Sequence, residues 1–169
     1  MKFCARFCAL IKRICAALVF LVLFTSLFSC AEKMDFGHAE LRISLPKSFK
    51  DFEVQGFDKA YSDGESVVAI YRVSFEAGRE DGIPDFLTTE QFARLYLKST
   101  SRKAEIKNHN FTAYYEYTEP AGGENSSYLA SFYRSKHAYF LVLFACPERL
   151  YSEKLQTFLS YTETVIFVY

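Results

Sequence analysis

The run of residues 137–146 is the feature of this sequence that most constrains its fold. It reads HAYFLVLFAC and contains no acidic residue, lysine or arginine. A strand that is apolar on both faces must be covered on both sides, because either face would otherwise lie in water. The run therefore predicts a central strand in a sheet that has other layers packed above and below it.

Shorter segments with the pattern of strands precede and follow this run. Residues 41–45 alternate apolar and polar side chains and stop at Pro46, which cannot donate a hydrogen bond to a neighbouring strand. Residues 66–75 follow the turn signal Asp63-Gly64 and are rich in β-branched and aromatic side chains. Further strands are predicted at residues 104–107, 111–118, 127–134 and 164–169.

Two segments have the pattern of amphipathic helices. Thr88 and Gln91 fit a capping box, and the inward face of the helix that follows is predicted to consist of Phe92, Leu95, Tyr96 and Ser99. A second helix is predicted after Pro147, which suits a first helical position, with a buried stripe of Tyr151, Leu155, Phe158 and Leu159. Residues 76–87 contain two glycines, a proline and five charges and are predicted to form a loop.

The first 29 residues have the pattern of a secretory leader. Residues 1–13 carry four basic and no acidic residues, and an apolar run follows. The leader ends in Leu27-Phe28-Ser29-Cys30, which resembles the lipobox of bacterial lipoproteins, and that resemblance implies acylation of Cys30. Two alternatives stay open: an uncleaved anchor, although residues 14–29 are shorter than the ~20 residues of a spanning helix, or ordinary cleavage without a lipid.

The sequence thus divides into a lipoprotein signal peptide at residues 1–29, a lipidated tether at 30–39 and a single α+β domain at 40–169.

Without the leader, 16 basic and 20 acidic residues leave a net charge of −4, so a nucleic-acid partner is not expected. Cys146 is the only cysteine after Cys30, which excludes an intramolecular disulfide in the domain.

The order of elements predicts a mainly antiparallel sheet of about six or seven strands with two main helices packed on it. The segment Ile43-Ser44-Leu45-Pro46, the helix around Phe92, the paired strands around residues 114–117 and 139–142, and the closing helix and strand resemble the PsbP-like superfamily of α/β/α sandwiches. That superfamily includes photosystem II extrinsic proteins, a Ran-binding nuclear import factor and small bacterial lipoproteins. The resemblance implies a binding or accessory domain.

Residues with catalytic chemistry are scattered. His38, His109 and His137 have no metal-ligand spacing, and no nucleophile elbow or phosphate-binding glycine loop is present. Cys146 ends an apolar strand, which favours an inert buried thiol over a reactive one. The basic cluster Lys98, Arg102 and Lys103 is interpreted as the C-terminal charge of a helix.

Tyrosine is the remaining candidate for binding. The chain has 12 tyrosines and no tryptophan, and side chains of this type with an apolar body and a polar tip suit protein interfaces. Most must pack in the core, but the strands at residues 111–134 can also present some outward. We predict a binding role for Tyr114, Tyr117, Tyr128 and Tyr133.

The sequence favours a non-enzymatic accessory or protein-binding domain that is lipid-anchored in a bacterial cell envelope, outside the cytoplasm, with an envelope protein as partner. Its expected contact surface is the sheet face or residues 76–87. The alternatives are a carrier of a small apolar ligand held between sheet and helices, and an envelope hydrolase. No cofactor and no metal are expected.

Overall fold

The central strand of the protein is β9, residues Ala138–Pro147, as residues 137–146 predict. It pairs antiparallel with β5 (Val67–Ser74) on one side and β8 (Glu124–Arg134) on the other, so that Val142 lies opposite both Ile70 and Ser131. The computed structural model describes residues 33–110 and 112–169. The predicted signal peptide and the predicted acylation of Cys30 lie outside these residues.

Seven strands form the main sheet, which is antiparallel throughout and has the order β3-β4-β5-β9-β8-β7-β6. Hairpins of neighbouring strands build most of it, while β5 and β9 are joined across a long intervening segment. The strands other than β9 are β3 (Lys50–Phe52), β4 (Lys59–Ser62), β5 (Val67–Ser74), β6 (Lys107–His109), β7 (Thr112–Ala121) and β8 (Glu124–Arg134).

A second, three-stranded sheet has the order β1-β2-β10. Its strands are β1 (Lys33–His38), β2 (Leu41–Pro46) and β10 (Ile166–Phe167). Residues 33–38 belong to the predicted tether at 30–39, but they pair with β2 along its whole length. The predicted strand at residues 41–45 is present, and it lies in the middle of this small sheet with Leu41, Ile43 and Leu45 fully buried.

Within the part of the chain that the structure describes, three helices complete the layers. Helix α3 (Glu148–Thr162) packs with the small sheet against one face of the main sheet, around the core of Phe140, Phe144 and Phe158. Helices α1 (Phe75–Glu80) and α2 (Thr89–Ser99) cover the opposite face, around a second core that contains Phe92 and Phe132. We call this opposite side the α2 face.

Helix α2 begins as predicted but turns a different stripe inward. Thr88 and Gln91 form the capping box, and Phe92 is buried. Leu95 is 37% exposed, whereas Ala93 and Leu97 are buried. The predicted face was therefore wrong by about one residue, because periodicity in one helix leaves its rotation on the sheet undetermined.

Helix α1 lies inside the segment that was predicted to be a loop. The Ser74 side chain accepts a hydrogen bond from the Ala77 amide and caps the helix. Gly78 is buried in it, where a Cβ would contact the Val73 and Ile83 side chains at 3.4 and 3.5 Å. A helix of six residues is too short to show a period in the sequence.

The predicted fold class is confirmed: the described residues form a single antiparallel-sheet α+β domain. Within residues 33–110 and 112–169, no helix is long and apolar enough to cross a membrane.

Two hydrogen bonds of the Tyr61 side chain connect strand β1 to the main sheet. The Tyr61 hydroxyl donates to the Gly37 carbonyl at 2.7 Å and accepts from the Gly37 amide at 3.0 Å. We expect Tyr61→Phe to lower the free energy of local opening of β1 by about 1–2 kcal/mol, because both hydrogen bonds are lost. Amide hydrogen exchange measures this. Exchange in β8 is the internal reference, and unchanged protection of β1 would contradict the anchoring role.

Candidate functional site

The four tyrosines predicted to bind do not share one surface. Tyr117 and Tyr128 lie on the α2 face, where their rings stack with centroids 4.7 Å apart. Tyr114 packs on the α3 side of the sheet. Tyr133 is 8% exposed, and its hydroxyl donates to the Thr162 carbonyl at 3.1 Å. Tyr133 is therefore a core residue, and of the four only Tyr117 and Tyr128 are brought together.

Arg102 covers the Tyr117–Tyr128 stack. Its guanidinium carbon lies 4.4 Å from the centre of the Tyr117 ring, within the range of a cation–π contact. Its Nε and Nη2 groups donate to the two carboxylate oxygens of Glu119 at 2.7 and 3.0 Å. The sequence predicts Arg102 to be a helix-terminal charge, whereas in the structure its guanidinium group covers an aromatic site.

The Arg102–Glu119 pair fixes the charge state of both groups. Donation from Arg102 lowers the pKa of Glu119, and the hydrogen bond to Glu119 raises the pKa of Arg102. A carboxyl group with a lowered pKa stabilises the fold above its usual pKa and loses that contribution as the pH falls. The pair is therefore fully charged, and neutral as a unit, at pH 7.

Tyr115 lies beneath this stack with no exposed surface. Its hydroxyl makes no hydrogen bond of normal geometry, as is also true of the buried Ser66 hydroxyl among the described residues, but it interacts with the Arg102 guanidinium. Burial raises the pKa of Tyr115 to about 12, so the hydroxyl keeps its proton at neutral pH. Tyr115 is one of the residues that border a cavity.

That cavity, which we call the tyrosine pocket, has a volume of about 240 Å³. The sheet contributes Tyr115, Tyr117, Tyr128 and the side chains of Leu141 and Leu143, and helix α2 contributes Tyr96. The loop before β4 supplies Val54 and Phe57, and the Arg102–Glu119 pair completes the lining. The pocket is thus mainly aromatic and aliphatic, with a few polar groups.

A second feature of the α2 face is Phe86, whose side chain points into solvent. It is 77% exposed, the highest value among the exposed large hydrophobic residues described. Phe86 belongs to the connection between α1 and α2, which we call the Phe86 loop (residues 81–88). The start of this loop also supplies Ile83 to a hollow of about 300 Å³ next to Leu95 and Tyr96.

The backbone of the Phe86 loop is held from several sides. The buried Tyr139 hydroxyl donates to the carbonyls of Pro84 and Leu87, at 2.9 and 3.2 Å. Arg134 donates to the Asp85 carbonyl at 3.0 Å, and Arg79 pairs with the Asp85 carboxylate at 2.9 Å. Phe86 therefore sits at the tip of a fixed loop, with hydrogen bonds to the residues on both sides of it.

The remaining candidates do not form a reactive centre. Cys146 is buried, and burial raises the pKa of its thiol, which disfavours the nucleophilic thiolate. His109 pairs with Glu163 at 2.8 Å. Among the described residues, no group of three or more histidine, cysteine, aspartate or glutamate side chains could hold a metal ion.

Comparison with solved structures supports the fold. A crystal structure of a protein from Bacteroides thetaiotaomicron VPI-5482 has a TM-score of 0.56 at 11% identity, covering 82% of this chain and 49% of that one. This chain therefore spans about half of that protein. The cyanobacterial PsbP protein CyanoP of Synechocystis sp. PCC 6803 has a TM-score of 0.55 at 12% identity, covering 83% and 95% of the two chains.

The Ran-binding protein Mog1p of Saccharomyces cerevisiae has a TM-score of 0.49 at 10% identity and covers 82% and 96%. No protein-family model matches this chain, and no curated protein does either. The class that these comparisons define is the PsbP-like fold, on the strength of CyanoP. At such low identity, the likeness concerns the fold alone.

The two buried tyrosines allow a matched test of the Tyr115 hydroxyl. We expect Tyr115→Phe to leave the free energy of unfolding unchanged or raise it by up to about 1 kcal/mol, since it removes a buried hydroxyl that makes no hydrogen bond of normal geometry. Tyr133→Phe should lower it by about 1 kcal/mol, because the Thr162 carbonyl loses its donor. Denaturant unfolding of both variants gives the two values. Equal destabilisation would show that the Tyr115 hydroxyl is already hydrogen-bonded in the folded protein.

Proposed function

We propose that the protein is a non-enzymatic accessory domain of a bacterial cell envelope, anchored to a membrane by a lipid on Cys30, that docks onto a partner protein through the Phe86 loop. The observation that carries the docking proposal is the exposed Phe86 side chain on a loop held by Tyr139, Arg134 and Arg79. The PsbP-like fold is compatible with this function but does not establish it.

The fixed conformation of the Phe86 loop supports a role in binding a partner protein. A phenylalanine side chain in water is unfavourable by about 1.5–3 kcal/mol relative to a buried one, and a partner that covers Phe86 recovers this energy. The hydrogen bonds at Pro84, Asp85 and Leu87 hold the loop before binding. The loop therefore loses little conformational entropy on association. A small entropic cost of this kind raises the affinity of preorganised interfaces.

The charges around the loop define the chemistry of the partner. Glu76, Glu80 and Asp81 are exposed on α1 and at its end, and the one basic side chain among residues 75–87, Arg79, is already paired with Asp85. Arg134 of β8 also lies at this edge, where it donates to the Asp85 carbonyl, so the edge carries four carboxylates against two guanidinium groups and is acidic in balance. The proposed partner is a protein surface with an apolar pocket for Phe86 and a basic rim, because opposite charges select the orientation and speed the encounter.

The anchor part of the proposal rests on the leader sequence. Acylation of Cys30 would leave residues 31 and 32 between the lipid and the first strand at Lys33. Two residues span at most about 7 Å. The domain would then act on partners in or beside the same membrane.

The docking proposal is tested with two exposed phenylalanines. We expect Phe86→Ala to weaken recovery of the partner by about 30-fold, the effect of losing a hot-spot side chain of about 2 kcal/mol. Phe52, which is 49% exposed on β3, provides the matched control Phe52→Ala, and we expect full recovery. The measurement is quantitative crosslinking and co-purification from native membranes. Equal recovery with both variants would refute docking through Phe86.

The anchor is tested separately. We expect Cys30→Ala to move the protein from the membrane to the soluble fraction, because a variant without the thiol cannot be acylated. Intact-mass measurement of the wild-type protein should show a chain that begins at Cys30 and carries acyl mass. A mature wild-type chain of unmodified mass would disprove lipidation while leaving the docking proposal intact.

A further inference from the structure

The small sheet has one face in the core and one face towards solvent. Leu41, Ile43 and Leu45 of its middle strand are fully buried against the main sheet. Side chains alternate between the two faces of a strand, so the residues between these three, and those paired with them, lie on the opposite face. We call it the outer face, and it consists of Lys33 and Asp35 of β1, Arg42 and Ser44 of β2, and Ile166 of β10 with the following Val168.

Two aliphatic side chains of the outer face are exposed at fixed positions. Between them, Phe167 points into the core, where its ring lies 5.7 Å from that of Phe140. Ile166 and Val168 are 56% and 52% exposed. The Val168 amide donates to the Glu40 carbonyl at 2.8 Å, so the pairing with β2 continues past the end of β10. Adjacent exposed apolar side chains on a regular element mark a surface for an apolar partner.

Tyr169 extends this surface with a ring that is 63% exposed. Its hydroxyl accepts a hydrogen bond from the Lys136 amide at 3.1 Å. The Lys136 ammonium group lies 4.5 Å from the centre of the ring. Tyrosine and lysine are both side chains with an apolar body and a polar end, which suits the boundary between lipid and water.

The position of Cys30 indicates which apolar partner covers the outer face. Only residues 31 and 32 lie between Cys30 and the start of β1 at Lys33, so a lipid on Cys30 would hold the small sheet next to the bilayer. The charges of this face agree with such a position. It carries Lys33 and Arg42 against Asp35, whereas residues 33–169 as a whole have 16 basic and 19 acidic residues. Basic side chains near a bilayer are attracted by anionic lipids.

We propose that the outer face of the small sheet lies on the membrane surface, with Ile166, Val168 and the Tyr169 ring among the lipid headgroups. This inference rests on the lipid anchor of the proposed function and adds the orientation of the domain to it. The α2 face is on the opposite side of the main sheet. The Phe86 loop is therefore on the side of the domain away from the bilayer, where a partner protein can reach it.

The acylated wild-type protein in bilayer nanodiscs tests this orientation. The probe is a bilayer of phosphatidylethanolamine and phosphatidylglycerol with a nitroxide-labelled headgroup, and no second protein is present. Broadening of NMR signals by a nitroxide falls steeply with distance, and packed layers lie about 10 Å apart. We expect the methyl signals of Ile166 and Val168 to be lost. The signal of Leu95, which is 37% exposed on the α2 face, should remain.

Matched variants assign the orientation to the outer face. Ile166→Asp should restore most of the Val168 signal, because a carboxylate is unfavourable among lipid headgroups of negative charge. Leu95→Asp adds the same charge to the α2 face and should leave the loss of the Val168 signal unchanged.

The intact mass of each sample shows whether the acyl groups are present, so a failure of the anchor and a failure of this inference are distinguishable. In acylated protein, three results would each overturn the inference: retention of the Ile166 and Val168 signals, an equal loss at Leu95, or no effect of Ile166→Asp.

Discussion

The double-sided burial of β9 is the constraint on which the rest of the structure depends. Phe140, Val142 and Phe144 face α3 and the small sheet, whereas Tyr139 and Leu141 face α2. Each set requires its own covering layer, so one strand determines that the domain has three layers. Tyr139 of this strand also contacts a surface loop. Its ring stacks on that of Phe92 with the centroids 4.4 Å apart, and its hydroxyl donates a hydrogen bond to the Phe86 loop. A core strand thereby fixes the position of an exposed residue.

Much of the fold could be predicted from the sequence because its main elements carry local signals. The central strand is long and apolar, and α2 begins with a capping box whose two hydrogen bonds join residues three apart. The incorrect predictions concern features that the local sequence does not indicate. Helix α1 is too short to show a period, and the rotation of α2 depends on the sheet beneath it. The pairing of residues 33–38 with β2 gives a segment of low apolar content a regular structure that its composition does not indicate.

The site could be predicted only in part, since its residues come from distant positions. Tyr117 and Tyr128 were candidates because they are tyrosines on adjacent strands. Arg102 was not, because Glu119 lies 17 residues away and nothing in the local sequence joins them. The burial of the Tyr115 hydroxyl without a hydrogen bond of normal geometry has no sequence signal at all. The segment that contains Phe86 was an expected contact surface, but the exposure of that side chain and the rigidity of its loop are properties of the folded chain.

The pairing of β2 with β10 has a consequence for the order in which the protein folds. Arg42 lies opposite Ile166, and Ser44 and Thr164, which are 120 positions apart, are joined by a hydrogen bond. The central strand likewise pairs with β5 across a long segment. Contacts between distant residues form slowly, because the loop between them must first be closed. A chain synthesised from its N-terminus can complete the main sheet only after β9 is made, and the small sheet only after β10. The late arrival of these strands therefore keeps the domain from closing until most of the described chain has been synthesised.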